Sequence, residues 1–182
     1  VPVMEKHMYK DYAKIMLSSL PYLPPNRPVP MFGCGHPMLF PMSIALGADL
    51  FDSAAYALFA KDGRLLAPWG TEKLVNLVDW PVTMPCIAYT SPEEVRNLDP
   101  AEQVKVLARY NLEVTLTELS RCKQAIRDGT IWRLAEKRSH QHPALREAFL
   151  WITTSPNRAG LAMIDLEELV ITDRAAARDR DS

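Results

Sequence analysis

The feature of the sequence that most constrains its fold is a strand–helix–strand pattern between residues 28 and 53. A short apolar run over residues 28–35 ends in glycines. It is followed by an almost entirely apolar helix, which is predicted to start at Pro37 and to be capped by Gly47. A second short strand is predicted over residues 49–53. Two strands connected through a helix at this spacing are parallel, so the pattern predicts an α/β fold with a parallel sheet or barrel.

Further helices are predicted before and after this unit. Apolar residues spaced three and four apart predict a helix over residues 5–20. Downstream, capping patterns predict three helix starts, at Ser91, Asp99 and Thr115. The helix after Asp99 is expected to end near Tyr110, before the next one begins. The last two helices are predicted over residues 130–139 and 143–153.

Composition narrows the class of protein. The chain has 182 residues, of which 48% are hydrophobic, so it can bury a core. A net charge of -1 excludes a highly basic nucleic-acid coat but not a local basic face. No apolar stretch reaches membrane-spanning length. The scattered Cys34, Cys86 and Cys122 are too few for a disulfide framework, so we expect a globular cytoplasmic protein without a membrane partner.

Asp52 and His36 are the first candidates for a chemical role. Asp52 stands at the carboxyl end of the second predicted strand, the end that carries catalytic groups in α/β barrels. It could equally cap a helix or form a salt bridge. His36 follows the first predicted strand, where it either binds a substrate or caps the next helix. The preceding glycines, Gly33 among them, would let the backbone approach a ligand.

A basic segment between residues 120 and 147 is the second candidate. Its cations outnumber its carboxylates, and two histidines lie near them. Such a surface either contacts RNA phosphates or is an ordinary solvated helix face. The residues predicted to bind RNA are Arg121, Lys123, Arg127, Arg133, Lys137 and Arg138.

Two sequence blocks closely resemble the archaeal tRNA-guanine transglycosylase family. The first is Phe-Gly-Cys-Gly-His-Pro-Met at residues 32–38, and the second, which is highly specific, is residues 45–60 around Asp52. The match continues through four shorter segments, at residues 62–64, 70–71, 123–126 and 134–136. The resemblance spans about residues 1–150, and residues after Trp151 match nothing in that family.

The resemblance implies a TIM-type barrel that exchanges a guanine in the tRNA D-loop for 7-cyano-7-deazaguanine, on the way to archaeosine. It makes Asp52 the nucleophile, which attacks the ribose anomeric carbon, expels guanine and holds the RNA covalently until the new base arrives. A carboxylate suits attack on an oxocarbenium-like centre. Backbone around Val1 would form a wall of the base pocket, with Gly33 and His36 as further substrate-binding residues. The partner would be tRNA.

The resemblance covers only part of such a barrel. It includes the last three β/α units of a (β/α)8 barrel, followed by a helical extension. The second catalytic Asp of the family and most base-reading residues belong to the part upstream. Three strands cannot close an eight-stranded barrel, so we expect an N-terminal half, a partner chain or self-association to complete it. We predict three regions: β/α units over 1–80, a degenerate zinc subdomain with closing helices over 81–150, and an unassigned tail over 151–182.

The zinc site of the family is the main departure. Its Cys-x-Cys-x-x-Cys pattern and distant His fall, without gaps, on apolar and aromatic residues of this chain: Val82, Met84, Ile87 and Tyr110. Elsewhere, Cys86 has no Cys or His at the usual ligand spacing. No metal or other cofactor is therefore expected, and a packed core is expected to replace the zinc.

These observations leave the function open between alternatives. The lost zinc ligands favour the transglycosylase-like, tRNA-binding part of an archaeosine synthase-type paralogue, whose chemistry lies elsewhere. The alternative is an active transglycosylase with Asp52 as nucleophile, because the zinc of the family is structural. A structural barrel subunit, whose partner chain performs the chemistry, also fits.

Overall fold

The computed structural model describes residues 2–154, which form eight α-helices and four β-strands. The helices are α1 (Pro2–Glu5), α2 (Tyr9–Ser19), α3 (Phe40–Ala45), α4 (Ala55–Lys61), α5 (Pro92–Arg96), α6 (Pro100–Arg127), α7 (Ile131–Ser139) and α8 (Pro143–Thr154). The strands are β1 (Pro30–Phe32), β2 (Leu50–Asp52), β3 (Arg64–Ala67) and β4 (Gly70–Lys73). Helices dominate this mixed α/β fold.

The predicted strand–helix–strand unit is confirmed. Strands β1 and β2 pair in parallel, with Phe32 opposite Asp52. Their connection passes through a 3-10 turn at Pro37–Leu39 and then α3, whose residues are all buried. A helix that is apolar on nearly every side is expected to be buried all round. The one polar side chain of α3, Ser43, donates to the Leu39 carbonyl at 2.8 Å, and α3 packs against α7.

The implied third parallel strand is absent from the described residues. In that part of the chain the parallel sheet has two strands, β1 and β2. The three β/α units expected over residues 1–80 would place the first strand before α2, near the start of the sequence. The segment Pro2–Glu5 instead forms one helical turn, α1. Proline fits the first position of a helix, since its φ angle is already helical and it has no N–H to pair.

Strands β3 and β4 form an antiparallel hairpin that packs against α6. Helix α6 is 28 residues long, so the predicted break before Thr115 is wrong. The hydroxyls of Thr115 and Thr117 donate to the carbonyls of Asn111 and Glu113, one turn earlier, at 2.7 and 2.8 Å. A helix interior accepts this arrangement, and no glycine or proline interrupts residues 101–128.

The predicted caps at the start of α5 and α6 are confirmed. Ser91 and Glu94 form a complete capping box at α5, with Pro92 at its first position. The Asp99 carboxylate accepts from the Ala101 N–H at 3.0 Å and starts α6. Both caps satisfy amide groups that a helix leaves unpaired at its N-terminus.

The buried apolar residues form two clusters. One joins α2, α3, α7 and α8 with the last part of α6, and Phe40 and Leu145 are among its most buried residues. The other joins α4, β3 and α5 to the middle of α6, around Leu107 and Tyr110. Helix α6 therefore contributes to both clusters and connects them.

Candidate active site

Asp52 is the last residue of β2 and is exposed. Because β1 and β2 are parallel, their carboxyl ends meet at the same edge of the sheet, and the Gly33 N–H donates to the Asp52 carbonyl there at 2.9 Å. Asp52 does not cap the next helix, since the N-cap of α4 is Ala54 and makes no side-chain cap hydrogen bond. This is the edge at which parallel α/β sheets present binding and catalytic groups.

The sheet face that includes Asp52 is uncovered. Residues two apart in a strand share a face, so Asp52 lies on the same face as Leu50, and its register places Phe32 beside it. Leu50 is 53% exposed and Phe32 is 70% exposed. The residues of the opposite face, Met31 and Phe51, pack against the apolar cluster of α2, α3, α7 and α8.

Two glycines shape the backbone beside Asp52. Gly33 has a φ of 72°, in the left-handed region that favours glycine, and it ends β1 next to Asp52. At Gly35 a Cβ atom would overlap the Oγ and Cβ atoms of Ser53 and would lie 3.1 Å from the Ala55 Cβ. The loop after β1 therefore contacts the residues that follow Asp52 as closely as backbone allows.

His36 occupies a helix-capping position. Its Nδ1 accepts from the Met38 N–H at 3.3 Å, at the start of the 3-10 turn. Burial lowers the pKa of His36 from 6.5 to about 4, outweighing a hydrogen bond between the ring and the Gly70 backbone that raises it. The neutral ring joins the loop after β1 to the β3–β4 hairpin. The sequence allowed either helix capping or substrate binding for His36. The structure shows the capping, and substrate binding remains a prediction.

Asn111 is a positioning residue that the sequence analysis missed. It is fully buried in α6, where its Oδ1 accepts from the Leu66 N–H at 2.7 Å. Its Nδ2 donates to the carbonyls of Tyr56 and Arg64 at 3.0 and 3.1 Å. The amide thus ties α4, which follows Asp52, to β3 and α6. The available signal was a polar residue inside the apolar stripe of α6, next to Tyr110.

The four positions that the sequence resemblance matches with zinc ligands lie together in the cluster around α6. Met84, Ile87 and Tyr110 are buried there, and Val82 packs against them. Valine and isoleucine have no donor atom, and the Met84 Sδ accepts from the Thr117 hydroxyl at 3.9 Å. This donor set does not fit a zinc ion, which takes thiolate, imidazole or carboxylate ligands.

Arg138 does not belong to the predicted basic face. Its side chain is 9% exposed and lies against the fully buried Glu118 of α6. The other five residues predicted to bind RNA are exposed on α6 and α7: Arg121, Lys123, Arg127, Arg133 and Lys137. Arg121, Arg133 and Lys137 line one groove between the two helices.

The predicted base-pocket wall at Val1 and residues 155–182 of the unassigned tail lie outside the residues that the structure describes. No helix within residues 2–154 combines the length and apolar character needed to cross a membrane.

Comparison with known proteins gives consistent matches. The sequence model of the queuine tRNA-ribosyltransferase family matches residues 1–144. The tRNA-guanine(15) transglycosylase of Methanocaldococcus jannaschii is 51% identical over 153 residues, which cover 82% of this chain and 23% of that protein. The proteins of that name from Methanococcus aeolicus and Thermococcus kodakarensis are 50% and 44% identical to it. Each match covers 82% of this chain, but only 23% and 26% of the respective relative. The chain thus matches about a quarter of the length of these relatives.

Proposed function

Because this chain belongs to the queuine tRNA-ribosyltransferase family, we propose that it forms part of a tRNA-modifying enzyme in which Asp52 is the nucleophile of a base exchange. Relatives about half identical to it are named tRNA-guanine(15) transglycosylase. The substrate proposed here is accordingly a guanine nucleotide of tRNA, and the incoming base is a 7-deazaguanine. Of the functions that the sequence left open, this one accounts for the Asp52 block most directly.

The proposed reaction uses the Asp52 carboxylate twice. A carboxylate oxygen attacks C1′ of the ribose, the C1′–N9 bond breaks, and guanine leaves with a proton taken from solvent water on the N9 that carried the bond electrons; the proton that the incoming base later loses returns to solvent. The ribose is then joined to Asp52 through an ester-like bond. N9 of the incoming base attacks C1′ from the vacated side, releases the carboxylate and loses its proton. Two displacements at one carbon retain its configuration, as in retaining glycosidases.

The observation that carries this proposal is the exposure of Asp52 on an uncovered sheet face. A nucleophile must be reachable by the anomeric carbon, and Asp52 is exposed at the carboxyl edge of β1 and β2. Phe32 and Leu50 beside it form an exposed apolar patch, the kind of surface that marks a contact with another part of a protein. We propose that the remaining strands of a (β/α)8 barrel cover this face, supplied by the same protein or a partner chain.

The apolar cluster at the four positions matched with zinc ligands favours a second candidate function. Val82, Met84, Ile87 and Tyr110 replace all four ligands with side chains that pack against one another. Such replacement fits a paralogue of the archaeosine synthase type, in which this part holds tRNA for another active site. The two candidates differ in one respect, since only the first forms a covalent bond to RNA.

Trapping that bond tests the proposal. The complete protein is mixed with end-labelled tRNA, denatured during turnover and separated on a denaturing gel. We expect labelled protein with the wild type, none with Asp52→Asn, and unchanged labelling with Asp62→Asn, which alters an exposed aspartate on another turn. Absence of the adduct in the wild type, with tRNA binding intact, would favour the synthase-type candidate.

A further inference from the structure

An open groove of about 350 Å³ lies between the C-terminal part of α6 and α7. Asp52 is not among the residues that line it. Its floor contains two small or apolar side chains, Ala125 and Leu134, while its rims are polar and charged. The rim residues are Arg121, Gln124, Asp128, Thr130, Arg133 and Lys137.

Three of these rim residues are cations on opposing helices. Arg133 and Lys137 are four residues apart, so they lie one turn from each other on the same side of α7. Both are exposed, and neither forms an ion pair within residues 2–154. Arg121 stands on α6, on the other wall of the groove. The groove therefore presents positive charge from both sides.

Glu118 holds Arg121 and the two helices in place. Its Oε2 accepts from the Arg121 Nη1 at 3.2 Å and from the Arg138 Nη2 at 2.9 Å. Because Arg138 belongs to α7, this one carboxylate connects the two helices that form the walls of the groove. Arg121 remains 52% exposed, so its guanidinium keeps donors for a ligand.

The negative charges nearby are few. Within residues 120–140 the exposed carboxylates are Asp128 and Glu136, against five exposed cations. Asp128 accepts from the Gln124 amide at 2.8 Å. The whole chain has a net charge of -1, so this positive surface is a local concentration and not a general property.

We propose that the groove binds consecutive phosphates of an RNA backbone. This proposal rests on the proposed function, which identifies the bound polyanion as tRNA. It adds the place on the protein where the RNA backbone is held. Arg121 on one wall and Arg133 and Lys137 on the other offer guanidinium and ammonium donors from both sides of the groove, which suits the phosphate oxygens of a strand lying along it. An acidic protein segment is the competing occupant, and the experiment separates the two.

The test measures binding of a tRNA transcript to the complete protein by fluorescence anisotropy at several salt concentrations. The variant is Arg133→Gln/Lys137→Gln, and the matched control is Lys61→Gln/Lys73→Gln, which removes two exposed cations far along the chain. We expect the variant to bind about tenfold more weakly, with a salt slope smaller by about 1.4 to 1.8, because two phosphate contacts are lost. The control should keep the wild-type affinity and slope.

Arg121→Gln extends the test to the opposite wall and should also weaken binding. Equal tRNA affinity in the wild type and the Arg133→Gln/Lys137→Gln variant would overturn the proposal, as an acidic protein partner would predict. A loss no larger than in the lysine control would do the same. Failure of the proposed function is a separate result, since groove-dependent binding by a protein that forms no covalent adduct would leave this inference intact.

Discussion

Glu118 and Arg138 lie 20 residues apart in the chain and form a buried, two-pronged ion pair between α6 and α7, with Nε–Oε1 and Nη2–Oε2 distances of 2.6 and 2.9 Å. Glu118 is fully buried, so without Arg138 its carboxylate would keep only the half-exposed Arg121, at 3.2 Å, as a charged partner. The pair therefore fixes how α7 sits on α6, and with it the shape of the groove.

Breaking this pair should be costly for stability. We expect Arg138→Met to lower the free energy of unfolding by about 3 kcal/mol, because the buried Glu118 loses both short hydrogen bonds and keeps only the longer one to the half-exposed Arg121. Replacing both residues, Glu118→Met/Arg138→Met, should cost less than the single change. The measurement is urea-induced unfolding. Lys105→Met, which removes an exposed pair with Glu102, is the control and should cost about 0.5 kcal/mol or less.

The close approach of Gly35 to Ser53 gives a second prediction. Gly35→Ala places a Cβ on the Ser53 side chain and should destabilise the protein by about 3 kcal/mol. Gly35→Ala/Ser53→Gly removes the overlapping atoms and should recover most of that loss. Thermal unfolding measures both. A Gly35→Ala protein as stable as the wild type would show that the loop after β1 does not contact Ser53 this closely.

The cluster at the zinc-ligand positions should behave as an ordinary apolar core. Ile87 is 1% exposed, so Ile87→Ala should lower the free energy of unfolding by about 2–5 kcal/mol through lost contacts and the cavity left behind. Val78→Ala, at a side chain that is 84% exposed, should change it by less than about 0.5 kcal/mol. We also expect the unfolding temperature to be unchanged by a strong metal chelator. A drop on chelation would show that these four positions, or others in the protein, hold a stabilising metal ion.

His36 should make stability depend on pH. Its folded-state pKa is about 4 and its ordinary value is 6.5, so between these values the unfolded chain binds a proton that the folded chain does not. The neutral His36 ring therefore contributes about 3 kcal/mol to the free energy of unfolding. This contribution is complete above pH 6.5 and is lost as the pH falls to 4. His36→Asn keeps a capping group at Met38 but does not titrate, and should remove this dependence from urea unfolding curves. His140→Asn, at an exposed site, should retain it.

The sequence predicted the local structure well where the determinants are local. The parallel pairing of β1 with β2 follows from an apolar helix between two short strands, and the start of α5 follows from Ser91, Pro92 and Glu94. Thr115 was misread because a capping pattern and a helix interior can share the same residues. Only the packing of α6 along its whole length selects the interior.

The sequence did not reveal the interactions that depend on distant residues. Arg138 reads as one more surface cation until α7 brings it to Glu118, and the partners of Asn111 emerge only when α6 meets β3 and Tyr56. Asp52 was identified through its sequence block. Its exposure, however, follows from the uncovered face that β1 and β2 form together.

The most direct test of the account is incorporation of labelled guanine into tRNA by the complete protein, comparing the wild type with Asp52→Asn. The two side chains have nearly the same shape, and the amide cannot serve as the nucleophile. We predict incorporation by the wild type, a loss of at least about a thousandfold in Asp52→Asn, and equal tRNA affinity of the two proteins. Incorporation by Asp52→Asn at the wild-type rate would show that Asp52 does not attack the ribose.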